Sequence, residues 1–285
     1  MKISDILASR EITVSCELFP PKKGEELKHS REIVAKTAAL SPDFISVTYG
    51  AAGTTAGFTS ELADEVEKCG VTALSHLTCV QSDRESVLSY LSELKKHGIC
   101  NVLALRGDIP EDTEPKKFFK YATDLAKFIS DNSDFCIGGA CYPEGHPESE
   151  SYKKDIEALK IKAESGVSFF TTQMFFDNDI LYSFLSKLRR AGVNTPVIAG
   201  IMPVVNAKQI TRICSLSGTY LPRRFREIVE RFADRPEAMR QAGITYASEQ
   251  IIDLIANGVN NIHIYTMNHP DIAGSIMKNL SEIWK

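Results

Sequence analysis

At 285 residues with 43% apolar side chains, the chain is long enough for one large domain or two small ones, with a core that needs no disulfide. A formal net charge of −4 excludes an extended nucleic-acid or anionic-membrane surface, which would need clustered Lys and Arg. Seven cysteines without a C-x-x-C pair or zinc-type His spacing read as reduced thiols of a cytoplasmic protein, and neither a signal peptide nor a membrane-length apolar run is present.

In chain order, the first strand is predicted over Ile12 to Phe19, followed by the turn Pro20-Pro21 and a helix from Gly24 to Leu40 that Pro42 stops. A strand from Phe44 to Gly50, a Gly/Thr-rich loop from Ala51 to Phe58, and a helix from Thr59 to Cys69 with Gly70 as cap come next. The alternation continues with a strand over Thr72 to Cys79, a helix over Ser82 to His97, and a strand over Asn101 to Asp108. A polar loop over 109–117 precedes a helix from Phe118 to Asp131, and its length is usually reserved for function. Strands over Phe135 to Tyr142, Phe169 to Phe176 and Pro196 to Met202 alternate with helices over Ser151 to Ser165 and Asn178 to Ala191, then a short helix from Asn206. Two extra helices, Arg223 to Ala233 and Pro236 to Ala256, interrupt the pattern before a last strand, Asn261 to Met267, and a helix from Asp271.

Eight strands alternating with helices of this length imply parallel βαβ units, and the count favours a single α/β (β/α)8 barrel over residues 1–285. A doubly wound sheet is the alternative fold, but it would want a G-x-G-x-x-G turn where Pro20-Pro21-Lys22 stands. A closed barrel gathers its strand ends on one rim, where such folds do their chemistry. The ends here carry Glu17, Tyr49, His76, Asp108, Tyr142, His146, Gln173 and Tyr265.

Glu17 lies between Cys16 and Leu18 in an apolar strand, so it faces either the barrel interior or the helices. A carboxylate in either place must be paired, with Lys or Arg, or kept protonated, and a carboxyl that stays protonated is a competent general acid. Asp108 follows Arg106 by two residues, so an ion pair bracing the strand end is the simplest reading. Alternatively Arg106 serves a phosphate and Asp108 a heterocycle; a carboxylate near Glu17 would also help keep one of the two protonated. His76 reads as a core histidine or a site residue. Tyr49, Tyr142 and Tyr265 beside Gln173 suit the stacking and edge recognition of a flat heteroaromatic ligand. Asp155 and Lys162, two helical turns apart, form a surface pair unless the preceding His146-Pro147 loop brings them to a ligand. The PRRFRE run at Arg223, Arg224 and Arg226 reads as a solvated helix face.

The segments CELFPP, FISVTYGA, HLTC, ALRGD, YPEGHPE, TTQMFFD, GIMPV and HIYTMN, in this order across nearly the whole chain, resemble 5,10-methylenetetrahydrofolate reductases of the short bacterial form without a regulatory domain. The resemblance implies an FAD-bearing barrel that reduces methylenetetrahydrofolate to 5-methyltetrahydrofolate by a ping-pong mechanism, with NADH or NADPH as electron donor. Glu17 matches the general acid that opens the folate's five-membered ring, and Asp108 the carboxylate near flavin and pterin. Gln173 and Gln209 match folate-contacting positions. Thr48, Tyr49, Ala51, His76, Leu105, Arg106, Gly107, Asp108, Tyr121, Ala140, Tyr142, His146, Asp155 and Lys162 match positions that hold FAD.

The chain also departs from the family pattern. Ala158 and Ile161 stand where an Asn and an Arg reach the cofactor, Ile213 where a Phe lies against folate or NADH, and His269 where an Arg follows the last motif and meets the folate. Two alternatives therefore stay open: a reductase subunit that receives electrons from a partner protein, and a non-catalytic flavin- or folate-binding barrel. A homo-oligomer is compatible with either.

Overall fold

The computed structural model describes residues 1–21, 26–49, 56–108 and 118–284. Eight parallel strands close into a barrel in chain order: β1 Thr13–Leu18, β2 Phe44–Val47, β3 Thr72–Thr78, β4 Asn101–Leu105, β5 Cys136–Cys141, β6 Val167–Thr172, β7 Val197–Ile201 and β8 Asn261–Tyr265. The helices are α1 Ile3–Ser9, α2 Leu27–Ala38, α3 Ala56–Lys68, α4 Arg84–Lys96, α5 Ala122–Asn132, α6 Tyr152–Glu164, α7 Asn178–Arg190, α8 Ala207–Ser217, α9 Arg223–Phe232, α10 Pro236–Ala256 and α11 Pro270–Asn279. This is the expected (β/α)8 barrel with extra helices between β7 and β8. Among the described residues no helix is long and apolar enough to cross a membrane.

Strand alternation sorts the side chains. Val14, Cys16 and Leu18 of β1 join the large apolar layer between strands and helices, which leaves Thr13, Ser15 and Glu17 pointing into the barrel. The lower interior is apolar, with Phe44, Leu74, Leu103, Cys136, Phe169 and Ile198 in one cluster that Ile3 and Ile6 of α1 complete. Helix α1 thus plugs the barrel floor. Buried Asn101 ties it down: its Oδ1 accepts from the Ile3 amide at 2.8 Å, while its Nδ2 donates to the Met1 and Ala73 carbonyls at 2.9 and 3.1 Å. The sequence reading above has no helix at this position, although the Ile3, Ile6, Leu7 spacing is helical.

Several strand limits differ from expectation, with β2 ending at Val47 rather than Gly50 and β8 at Tyr265 rather than Met267. β4 ends at Leu105 rather than Asp108, because Gly107 takes φ +83°. β6 starts two residues early and stops at Thr172, and the apolar run continues as loop. Met174 and Phe176 pack in a separate cluster with Phe225, Val229 and Met239 of the extra helices, where Gln250 Nε2 and Tyr246 Oη hydrogen-bond the Phe175 and Phe176 carbonyls. All seven cysteines are free; Cys16, Cys79, Cys136 and Cys141 are buried.

Candidate active site

Above the apolar floor the barrel interior turns polar. The register pairs Glu17 with Ser46 on one side and Tyr265 on the other, and Glu17 is only 8% exposed. Its Oε2 lies 3.6 Å from His76 Nε2, 3.7 Å from His263 Nε2 and 3.5 Å from the Ser46 hydroxyl. Among the described residues no Lys or Arg pairs with it, so the reading of Glu17 as half of a structural Lys or Arg ion pair fails. Burial pushes the His76 imidazole down to about 4, against the opposing pull of Glu17, so His76 is neutral at pH near 7. Among the described residues its Nε2 has no hydrogen-bond partner.

His263 is held from below. The Ser15 hydroxyl donates to the Ile262 carbonyl at 3.2 Å and lies 2.7 Å from His263 Nδ1. With its proton on Ile262, Ser15 accepts from Nδ1–H, and the Nε2 lone pair faces Ser46 at 3.4 Å and Glu17. Sequence reasoning missed His263, Ser46 and Ser15. The period-two pattern was the available signal, since His263 precedes Tyr265 by two residues, as Ser46 precedes Thr48.

A cavity of about 560 Å³ opens above Glu17, and its lining includes Thr48, Tyr49, His76, Leu105, Arg106, Gly107, Asp108, Ala140, Tyr142, His146, Lys162, Gln173 and Tyr265. The structure therefore brings most of the predicted positions to one place. Asp155 stands behind this lining: it is buried, its Oδ2 accepts from the His146 amide at 3.3 Å, and burial raises its carboxyl. Lys162 is half-buried, desolvation lowers its ammonium, and it donates to the Ala140 carbonyl at 2.8 Å. Asp155 and Lys162 are thus inward groups rather than a surface pair. Tyr121, 52% exposed, sits beside the lining residue Ala122. Ala51 and the loop 109–117 lie outside the described residues.

The Arg106–Asp108 ion pair is corrected by the structure. Gly107 breaks strand alternation, and the Arg106 guanidinium instead grips Glu148 with two bonds of 2.5 and 2.7 Å. Asp108 is exposed at the cavity edge, close enough to act electrostatically on Arg106 and Tyr142. Among the tyrosines, Tyr265 reaches across β7 to donate to the Thr172 carbonyl at 2.5 Å. Gly200 makes that reach feasible, because a Cβ there would lie 2.6 Å from the Tyr265 ring. Tyr142 meets His146 edge-on at 4.6 Å.

Gln209 and His269 are not in this cavity. They line a smaller one of about 20 Å³ with Ile213, Asn206, Thr266 and Met267. Arg223 and Arg224 pair with Glu227 and Glu249 on the surface, as expected of a solvated face.

The family model for methylenetetrahydrofolate reductase matches residues 2–281. The chain belongs to that family. It is 34% identical to methylenetetrahydrofolate reductase 1 of Schizosaccharomyces pombe over 98% of this chain and 48% of that protein. The figures for methylenetetrahydrofolate reductase (NADH) 1 of Arabidopsis thaliana are 34%, 99% and 50%, so the chain spans about half the length of these two relatives. It is 30% identical to the 5,10-methylenetetrahydrofolate reductase of Escherichia coli K12 over 95% of this chain and 91% of that one. A solved Clostridium thermocellum protein described as binding two copies of 5-methyl-5,6,7,8-tetrahydrofolic acid shares the fold, with TM-score 0.68, 16% identity and 99% of this chain covered.

Proposed function

We propose that this family member is a cytoplasmic protein whose barrel, residues 1–285, is a catalytic domain that reduces 5,10-methylenetetrahydrofolate to 5-methyltetrahydrofolate, with Glu17 as general acid. The observation that carries this reading is the buried Glu17 carboxyl, set between two imidazoles at the base of a cavity walled by tyrosines, cations and Gln173.

The donor set fits FAD. Arg106, Lys162 and His146 offer cationic or N–H groups to a diphosphate, Tyr49 and Tyr142 offer aromatic faces, and Gly107 lets the backbone approach a flat ring. A flavin held by these residues would supply hydride transfer between NADH or NADPH and the folate. Related proteins carry either nicotinamide in their names. Glu17 delivers its proton to the folate as the ring opens. The His263 Nε2 lone pair faces the Glu17 carboxyl at 3.7 Å, and the Ser46 hydroxyl, 3.5 Å from Glu17 Oε2, can donate to the carboxylate left after delivery. Neutral His76 adds no cation to this layer. Gln173 lies with its Oε1 on the Met174 amide at 3.0 Å, leaving its NH₂ to a folate edge.

A second reading, electron supply by a partner protein, is favoured by Ile213, an aliphatic side chain beside Gln209 and His269 that offers no face on which a nicotinamide could stack. One experiment decides between them. The purified anaerobic protein should show a flavin absorbance band that NADH or NADPH bleaches and methylenetetrahydrofolate restores. A protein without the band overturns the flavin assignment, and a band that only chemical reductants bleach moves the electron source to a partner.

A further inference from the structure

The segment leaving β8 holds the chain around Glu17 in a way the catalytic reading does not use. The β1–β8 backbone register ends at the pair Glu17 and Tyr265. Beyond it, side chains continue the ladder. The hydroxyl of buried Thr266 donates to the Glu17 carbonyl at 2.6 Å. The Asn268 amide meets Phe19 at two points, with Oδ1 accepting from the Phe19 amide at 2.8 Å and Nδ2 donating to the Phe19 carbonyl at 3.0 Å. One side chain thus reads the Phe19 backbone as a neighbouring strand would. The turn closes on itself, with the Asn268 amide donating to Thr266 Oγ1 at 3.2 Å and the His269 amide to the Thr266 carbonyl at 2.9 Å.

This arrangement is held against the local preference of the chain. Met267 and Asn268 take φ +52° and +59° in succession. Asn tolerates the left-handed region, but Met does so only where its surroundings over-determine it. The two bonds to Phe19 are a sufficient reason, since they require Asn268 to fold back over β1.

We propose that Asn268, with Thr266, is a positioning residue for the acid: it fixes the backbone at and after Glu17, so that the carboxyl stays between His76, His263 and Ser46 and beneath the folate. This rests on Glu17 being the general acid. The next residue, His269, lines the smaller cavity with Gln209, so one rigid turn sets the distance between the acid and that cavity.

The test compares Asn268→Ala, Asn268→Gly and Asn268→Asp in the full-length holoprotein by stopped flow, one half-reaction at a time. Alanine removes both bonds. Glycine also removes them but accepts the left-handed turn, so it separates loss of the clamp from backbone strain. Aspartate keeps the acceptor for the Phe19 amide and sets an oxygen against the Phe19 carbonyl. Alanine and glycine should each slow folate-driven reoxidation of the reduced flavin about tenfold or more. Reduction by the electron donor should stay within about twofold, and the folate concentration at half-maximal rate should hold. Aspartate should fall with them. A folate half-reaction within about twofold of wild type in alanine and glycine overturns the clamp, and so does an equal fall in both half-reactions. Glu17→Gln run in parallel keeps the two ideas apart. If it abolishes folate reoxidation while the Asn268 variants do not slow it, the clamp alone is wrong; if it leaves folate reoxidation intact, the acid assignment fails and takes the clamp with it.

Discussion

Replacing His76 by Gln should remove a specific pH dependence of stability. His76 is 5% exposed, and burial lowers its imidazole from the usual 6.5 to about 4. Between those two values the unfolded chain binds a proton that the folded chain refuses. Stability from this group is therefore complete above pH near 6.5 and declines as the pH falls toward 4. The whole effect is about 3 kcal/mol, of which about 2 kcal/mol is gone by about pH 5. For a chain of this length about 0.6 kcal/mol shifts Tm by one degree, so the His76 contribution at about pH 5 is about 3 °C. Thermal melts of wild type and His76→Gln, each at about pH 7.5 and about pH 5, isolate it, because all other carboxylates and histidines are shared. The wild-type Tm should drop about 3 °C further than that of the variant. Equal drops would show that His76 protonates as readily folded as unfolded, and would remove the reason for assigning proton delivery to Glu17 rather than to an imidazolium.

Two further outcomes follow from single contacts. Gly200→Ala places a methyl 2.6 Å from both the Tyr265 ring and the Thr172 carbonyl, so overpacking plus loss of the Tyr265–Thr172 bond should cost about 2 to 4 kcal/mol. The corresponding loss of Tm is about 3 to 7 °C, and an unchanged melt would refute the close packing of Tyr265 over β7. Arg106→Lys keeps the charge but not the two-pronged grip that now holds Glu148, and it should weaken flavin retention about tenfold. Release of flavin fluorescence on dilution measures this, and retention equal to wild type would take Arg106 out of the cofactor site.

The barrel was legible in the sequence because strands buried on both faces read as short apolar runs, and helices end in glycines such as Gly70, Gly98 and Gly166 with positive φ. What escaped needed three dimensions. Helix α1 spans only Ile3–Ser9, has no side-chain cap, and makes sense only against the floor formed by Phe44, Leu74 and Phe169. The direction of Glu17 was open until its register with Ser46 and Tyr265 placed it inside. His263 stands in an apolar strand with nothing in the local sequence to mark it, and its nearness to Glu17 arises from the β1–β8 pairing that closes the barrel. The Arg106–Asp108 reading failed because strand alternation ends where Gly107 turns left-handed. The clustering of Arg106, Tyr142, His146, Lys162 and Gln173 around one cavity follows from the rim rule for parallel barrels. Ala158 and Ile161 are both exposed on α6, so neither supplies the polar contacts expected at those positions.

Under the proposed function Glu17 supplies the proton in the folate half-reaction and nothing essential in the other. Anaerobic stopped flow on Glu17→Gln measures both with one protein. Flavin reduction by the electron donor should remain within a few-fold of wild type, while reoxidation by methylenetetrahydrofolate should slow by about a hundredfold or more, the range expected when a general acid is removed. Reoxidation at the wild-type rate would contradict the assignment of Glu17.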